Sequence, residues 1–129
     1  MSNSPKRTVY YTFGNHKHWV DMVWNWGEFV LPASVRDMLS LMEQTGAKGN
    51  VNFDVVGYEQ LAITDPEAFD ALKRAIHEGK AEIVGASYGQ PYGLFCGGEA
   101  NVRQLVMGVL VCEKLFGVRP VTWWEEEFD

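Results

Sequence analysis

Short β-branched or aromatic runs alternate along this chain with longer segments whose apolar residues recur every third or fourth position. Residues 8–13 (TVYYTF) form the first such run and read as a strand, which Gly14 and Asn15 are expected to break. Over residues 32–46 the interval becomes helical. Val35, Met38, Leu39 and Met42 form one stripe, Pro32 suits a first turn and Gly46 ends the element. Residues 51–56 read as a second strand, and residues 58–63 as a turn of helix. Asp65-Pro66 then supplies an N-cap followed by proline at the first helical position. Phe69, Leu72, Lys73 and Ile76 recur on that helix, and Gly79 stops it. Residues 81–86 (AEIVGA) are the third strand, and residues 87–98 a loop rich in Gly, Tyr and Pro. Residues 99–116 form a long helix closed by Gly117, and residues 121–124 open a fourth strand.

Strands separated by helices pair in parallel through right-handed crossovers. The order β-α-β-α-β-α-β therefore predicts an α/β fold in which every strand ends on one face, where the following loops gather and ligands bind. A chain of 129 residues with 47% hydrophobic and 22% charged residues suits one domain with a real core. The net charge of -6, with scattered basic residues, gives no footprint for nucleic acid or an anionic membrane. No run approaches the ~20 apolar residues of a membrane helix, and the start lacks the apolar stretch of a signal peptide. Cys96 and Cys112 have neither zinc spacing nor a disulfide pattern, and read as reduced thiols of a cytoplasmic protein. The five tryptophans fall in two clusters, Trp19, Trp24 and Trp26 near the start and Trp123 with Trp124 near the end, which suggests a lined pocket.

The unusual polar residues sit where strands end. The first strand runs into His16, His18 and Asp21, two imidazoles and a carboxylate able to surround a divalent metal; a polar loop whose histidines cap backbone groups is the plainer alternative. The second strand carries Asn52 and Asp54. Asp54 either hydrogen-bonds a ligating histidine or caps the turn at Gly57. The third leads to Ser87-Tyr88-Gly89-Gln90-Pro91-Tyr92, aromatic faces beside amide and hydroxyl groups, which suit a sugar ring as well as an ordinary glycine-rich loop. The fourth gives Trp124 and the run Glu125-Glu126-Glu127, either a solvated terminus or carboxylates delivered to the catalytic face. Glu99 and Arg103 read as a surface i,i+4 pair.

The segment Gly98-Glu99-Ala100-Asn101-Val102-Arg103-Gln104-Leu105, then Glu113 through Val118, then Trp123 through Phe128, resembles the family 38 α-mannosidases. There a Gly-Glu-Ser-x-x-Arg-Gln-Leu helix precedes x-Phe-Gly and a Trp-x-x-Asp-x-Phe-Gly strand end. Residues 82–88 resemble the family's preceding strand, and the histidine-rich loop with Trp24 resembles its His-x-Asp-x-x-Trp segment. The similarity runs from about Val9 onward.

The resemblance implies a seven-stranded (β/α) barrel, retaining cleavage of α-mannosidic or related bonds, and one zinc ion. Carried over by position, the metal ligands are His18, Asp21 and Glu126, the last also the nucleophile; His16 joins them because His16 and His18 have the family's interval of two. Trp24, Asp54, Tyr88, Gln90 and Trp124 are the expected substrate-binding residues. Two positions depart from the pattern. His18 and Asp21 are three apart where the family has two, and Glu126 stands where the family has Asp. Such a barrel needs on the order of 250 residues. The chain therefore reads as its first part, inactive without a downstream part of the same barrel, with an exposed strand edge and an apolar sheet face. A metal-dependent carbohydrate deacetylase-like barrel and a non-catalytic carbohydrate-binding α/β domain are the alternatives.

Overall fold

The computed structural model describes residue 8, residues 13–17 and residues 30–124. Its frame is a parallel sheet of β1 (Gly14–Lys17), β2 (Gly49–Phe53) and β3 (Ala81–Ile83), side by side in chain order. Helix α1 (Val30–Thr45) lies between β1 and β2. Helices α2 (Val55–Thr64) and α3 (Pro66–His77) lie between β2 and β3. After β3 come a single 3-10 turn at Gly93–Phe95 and the long helix α4 (Gly98–Phe116). The chain then returns to the sheet at Thr122, which makes one parallel bridge to Val84. Each strand is thus added at the same edge of a growing sheet.

The helices follow local rules. Asp65 Oδ1 accepts from the Ala68 N–H at 3.0 Å and Pro66 opens α3, so the expected cap is present. Gly117, at φ 72°, closes α4 in the left-handed region and donates its N–H to the Glu113 carbonyl. Gly46 and Gly79 also take positive φ where helices were expected to stop. Val35, Met38 and Met42 face inward from α1, as do Phe69, Leu72 and Ile76 from α3. Val51 and Phe53 of β2 meet them from the sheet, both fully buried. Tyr58 stands between Phe53 and Phe116, its ring 5.2 Å from each, and Phe69 lies 5.1 Å from Phe116. The Tyr58 hydroxyl donates to the Val51 carbonyl, which makes its burial tolerable. Each large apolar side chain buried here contributes about 1.5–3 kcal/mol.

Several boundaries differ from the sequence reading. Gly14 and Asn15 do not break the first strand; they lie within it, and residues 9–12 are outside the described part. Gly14 is useful in a strand because a Cβ there would sit 3.3 Å from Asn50. The second strand ends at Phe53 instead of Val56. Val55 and Val56 begin α2, because their N–H groups donate to the carbonyls of Ser87 and Tyr88 at 3.1 and 3.0 Å. Residues 58–63, read as one turn, belong to that ten-residue helix. The third strand is cut to Ala81–Ile83 plus the Val84 bridge, since the backbone turns sharply at Gly85 (φ 79°) and Ala86 (φ 144°).

Candidate functional site

Side chains alternate across a strand, so β2 sends Val51 and Phe53 to the helices and Asn50 and Asn52 to the opposite face. Strand register extends that second face sideways. Gly14, Asn50 and Glu82 form one row; His16 lies beside Asn52 in the next. Glu82 Oε1 accepts from the Thr122 hydroxyl at 2.7 Å. Among the described residues the face away from the helices is mostly polar instead of the apolar face expected from sequence, with Val84 buried beside Asn52. A sheet covered by helices on both sides would carry aliphatic residues there.

Asn52, fully buried, organises the carboxyl end of this face. Its Nδ2 donates to the Trp124 carbonyl at 3.1 Å, and its Oδ1 accepts from Gln90 Nε2 at 2.9 Å. One residue thus joins the end of β2, the loop after β3 and the segment after the Thr122 bridge. Gly85 makes the approach possible: a Cβ there would come within 2.8 Å of Asn52 Oδ1 and 3.0 Å of the Trp124 carbonyl. The Trp124 indole reaches across toward β1, with Cζ3 3.6 Å from where a Cβ on Gly14 would stand.

The loop after β3 is pinned from two sides. Helix α4 holds it through Tyr88 N–H to the Gln104 carbonyl at 3.1 Å and Gly89 N–H to Gln104 Oε1 at 2.8 Å. Helix α2 holds it through its first N–H groups. The Tyr88 hydroxyl donates to Glu59 Oε2 at 2.9 Å, and that bond, with some burial, raises its pKa above the usual tyrosine value. Gln90 has φ 42°, and Ser87 is fully buried. Ser87 Oγ and Gln90 Oε1 are both buried with no hydrogen-bond partner among the described residues. Buried polar groups of this kind cost about 1–3 kcal/mol each.

Of the expected substrate-binding residues, Gln90 and Trp124 meet at Asn52, whereas the Tyr88 side chain turns toward α2, where it packs against the core and bonds Glu59. Asp54 follows at the end of β2, buried, as the residue before α2. Its side chain does not cap the helix; the Gly57 N–H bonds its backbone carbonyl at 2.8 Å instead. His16 is half-buried and lies in β1, not in a loop after it. His18, Asp21, Trp24 and Glu126 lie outside the described residues. The segments that lead to them end at Lys17 and Trp124, both at the carboxyl end of the sheet. Among the described residues no group of three or more His, Cys, Asp or Glu is placed to hold a metal ion. A metal site with three such ligands in this chain would need at least one from outside them. Glu99 and Arg103 form the expected exposed pair at 2.8 Å. No helix among the described residues is long and apolar enough to cross a membrane.

Sequence reasoning favoured Asp54 over Asn52, and did not name Gly85 as part of the site. The available signal was parity: Asn52 falls on the side of the strand opposite Val51 and Phe53, where a buried amide needs a reason.

Comparison with known proteins agrees with this geometry. The family description "Glycosyl hydrolases family 38 N-terminal domain" matches residues 11–127. Among solved structures, the 4-alpha-glucanotransferase from Thermococcus litoralis superposes with a TM-score of 0.72 at 26% identity, over 88% of this chain and 18% of that one. TK1436, a GH57 branching enzyme from Thermococcus kodakaraensis solved in complex with glucose and additives, superposes with a TM-score of 0.59 at 16% identity, over 88% of this chain and 32% of that one. The second likeness is one of fold. The chain thus spans less than a third of either protein. No curated protein matches it significantly.

Proposed function

We infer that this chain, which belongs to the glycosyl hydrolases family 38 N-terminal domain family, forms the first part of the catalytic (β/α) barrel of a retaining glycoside hydrolase. The observation that carries this reading is the convergence at Asn52, near the end of β2, of Gln90 from the loop after β3 and Trp124 from the segment after the Thr122 bridge. The Gln90 amide there offers a directional bond to a hydroxyl, and the Trp124 indole offers a face to sugar C–H groups. Tyr88 and Asp54 are assigned to substrate binding by the sequence pattern, and Trp24 by the resemblance.

In this reading a zinc ion is held by His18, Asp21 and Glu126, with His16 beside them. It would supply Lewis-acid chemistry and bind sugar hydroxyls. Glu126 is assigned as the nucleophile that forms the glycosyl-enzyme ester. The barrel has seven strands, and the next strand–helix unit packs against α4 and the edge at Thr122. Support comes from α4 itself, whose Val102, Val106, Met107 and Leu110 are about half exposed although its opposite side is buried. An apolar surface on both sides of a helix is the mark of an internal element. The bond cleaved is α-mannosidic by the family resemblance. The fit to a 4-alpha-glucanotransferase favours an α-glucosidic substrate as a second reading.

Titration of the chain with D-mannose and with malto-oligosaccharides, followed by tryptophan fluorescence, tests the carbohydrate assignment. A saturable change with at least one of them is expected, and silence with all of them sinks it. Aryl mannoside and α-glucan assays of the 129-residue chain alone should show no turnover. Turnover there would remove the need for any further barrel part.

A further inference from the structure

Asn52 stands between two partners of opposite character. A backbone carbonyl only accepts, so the Trp124 carbonyl fixes which end of the Asn52 amide meets it. Asn52 then presents Oδ1 to Gln90, which must answer with Nε2. Neither amide can be flipped without breaking a bond in this relay. What remains is Gln90 Oε1, an acceptor, buried and without a partner among the described residues. Ser87 Oγ is in the same condition three residues earlier. The loop that carries them holds two non-glycine residues at positive φ, Ala86 at 144° and Gln90 at 42°. Strain and unmatched polar atoms kept together at a strand end indicate function more than stability.

We propose that Asn52 is a positioning residue that locks Gln90 as a one-way acceptor, so that the Ser87–Gln90 loop takes a neutral sugar hydroxyl that donates to Gln90 Oε1. Ser87 Oγ, able to donate or accept, serves a second hydroxyl or ring oxygen of the same ligand. The proposal rests on the reading that this rim holds carbohydrate, and it adds the direction of the contact. It also selects against anions. A carboxylate or phosphate would set a second acceptor against Oε1, with no proton between them.

The test is an NMR titration of the isotope-labelled chain with D-mannose and D-glucose, then with analogues deoxygenated or fluorinated one position at a time. Fluorine cannot donate a hydrogen bond. The Gln90 side-chain amide signals should shift with the parent sugar. At one ring position the deoxy and fluoro analogues should both bind about tenfold more weakly. Gln90→Met should weaken binding by a similar factor, and Asn52→Ala should also speed proton exchange at the Gln90 amide. If the fluoro analogue binds like the parent where the deoxy analogue does not, the ligand meets a donor and the proposed direction is wrong. If every analogue and Gln90→Met bind like the parent and wild type, a trapped water satisfies these atoms and the proposal fails while the carbohydrate reading stands. If no sugar shifts any signal, the carbohydrate reading itself falls. The analogue series uses the unaltered chain, so it remains decisive even where a variant folds poorly.

Discussion

Gly108 of α4 lies directly under the Ala86 backbone, so closely that a Cβ on Gly108 would stand 1.7 Å from the Ala86 carbonyl oxygen and 2.7 Å from its carbon. The contact lets the long helix press against the turn that carries Ser87 and Gln90. Gly108→Ala must therefore push the helix off the loop. We expect a loss of about 3 kcal/mol or more, beyond what repacking of a flexible side chain would absorb. Urea unfolding followed by circular dichroism measures it. A loss below about 1 kcal/mol would mean that the loop yields easily.

Asp65 combines a cap with an ion pair. It accepts from the Ala68 N–H and from Arg36 Nε and Nη2 at 2.8 and 2.6 Å. The Arg36 hydrogen bonds, chiefly, hold its carboxyl below the usual aspartate range. A depressed carboxylate gives stability that is whole above its unfolded pKa of about 3.9 and is lost as pH falls through the lower folded value. Asp65→Asn keeps an adequate cap and should flatten this acid dependence. Asp65→Ala should in addition lose about 1 kcal/mol at neutral pH. Thermal melts of the three proteins from neutral pH downward separate the effects; parallel curves for wild type and Asp65→Asn would show that the pair contributes nothing.

Burial pushes the Cys112 thiol up to about 12. Little thiolate exists at ordinary pH, and Cys112 is fully covered beside the Phe116 end of α4. Cys96 is partly exposed. Alkylation of the native chain with iodoacetamide near pH 8 should therefore modify Cys96 and spare Cys112 until denaturant is added. Equal labelling of both in the folded state would contradict the packing of α4.

The exposed stripe of α4 makes its own prediction. Val106→Lys with Leu110→Lys should reduce self-association of the isolated chain, read by analytical ultracentrifugation, with little change in thermal stability. A large fall in stability would show that this face is already packed.

The metal assignment is checked by elemental analysis. His18→Ala, Asp21→Ala and Glu126→Gln should each lower bound zinc well below that of the unaltered protein. Undiminished zinc in all three would assign the ion elsewhere or make it adventitious.

What could be read from residue order is what depends on near neighbours. The stripes on α1 and α3, the Asp65-Pro66 start, the stops at Gly46, Gly79 and Gly117, and the alternation that forces parallel strands all follow from spacing and backbone chemistry within a few residues. The family resemblance was legible too, from about Val9 onward and most specifically from Gly98 to Phe128. Where strands give way was set by packing at long range. Val55 and Val56 have strand-forming side chains, yet they open a helix because Ser87 and Tyr88 supply carbonyls to their N–H groups. The site's organiser was settled in the same way. Asn52 meets Gln90 across 38 positions and Trp124 across 72, and no local pattern encodes such partners. Hydrogen bonds across strands are set by register and by the absence of a Cβ at Gly85, and both exist only once the sheet has formed.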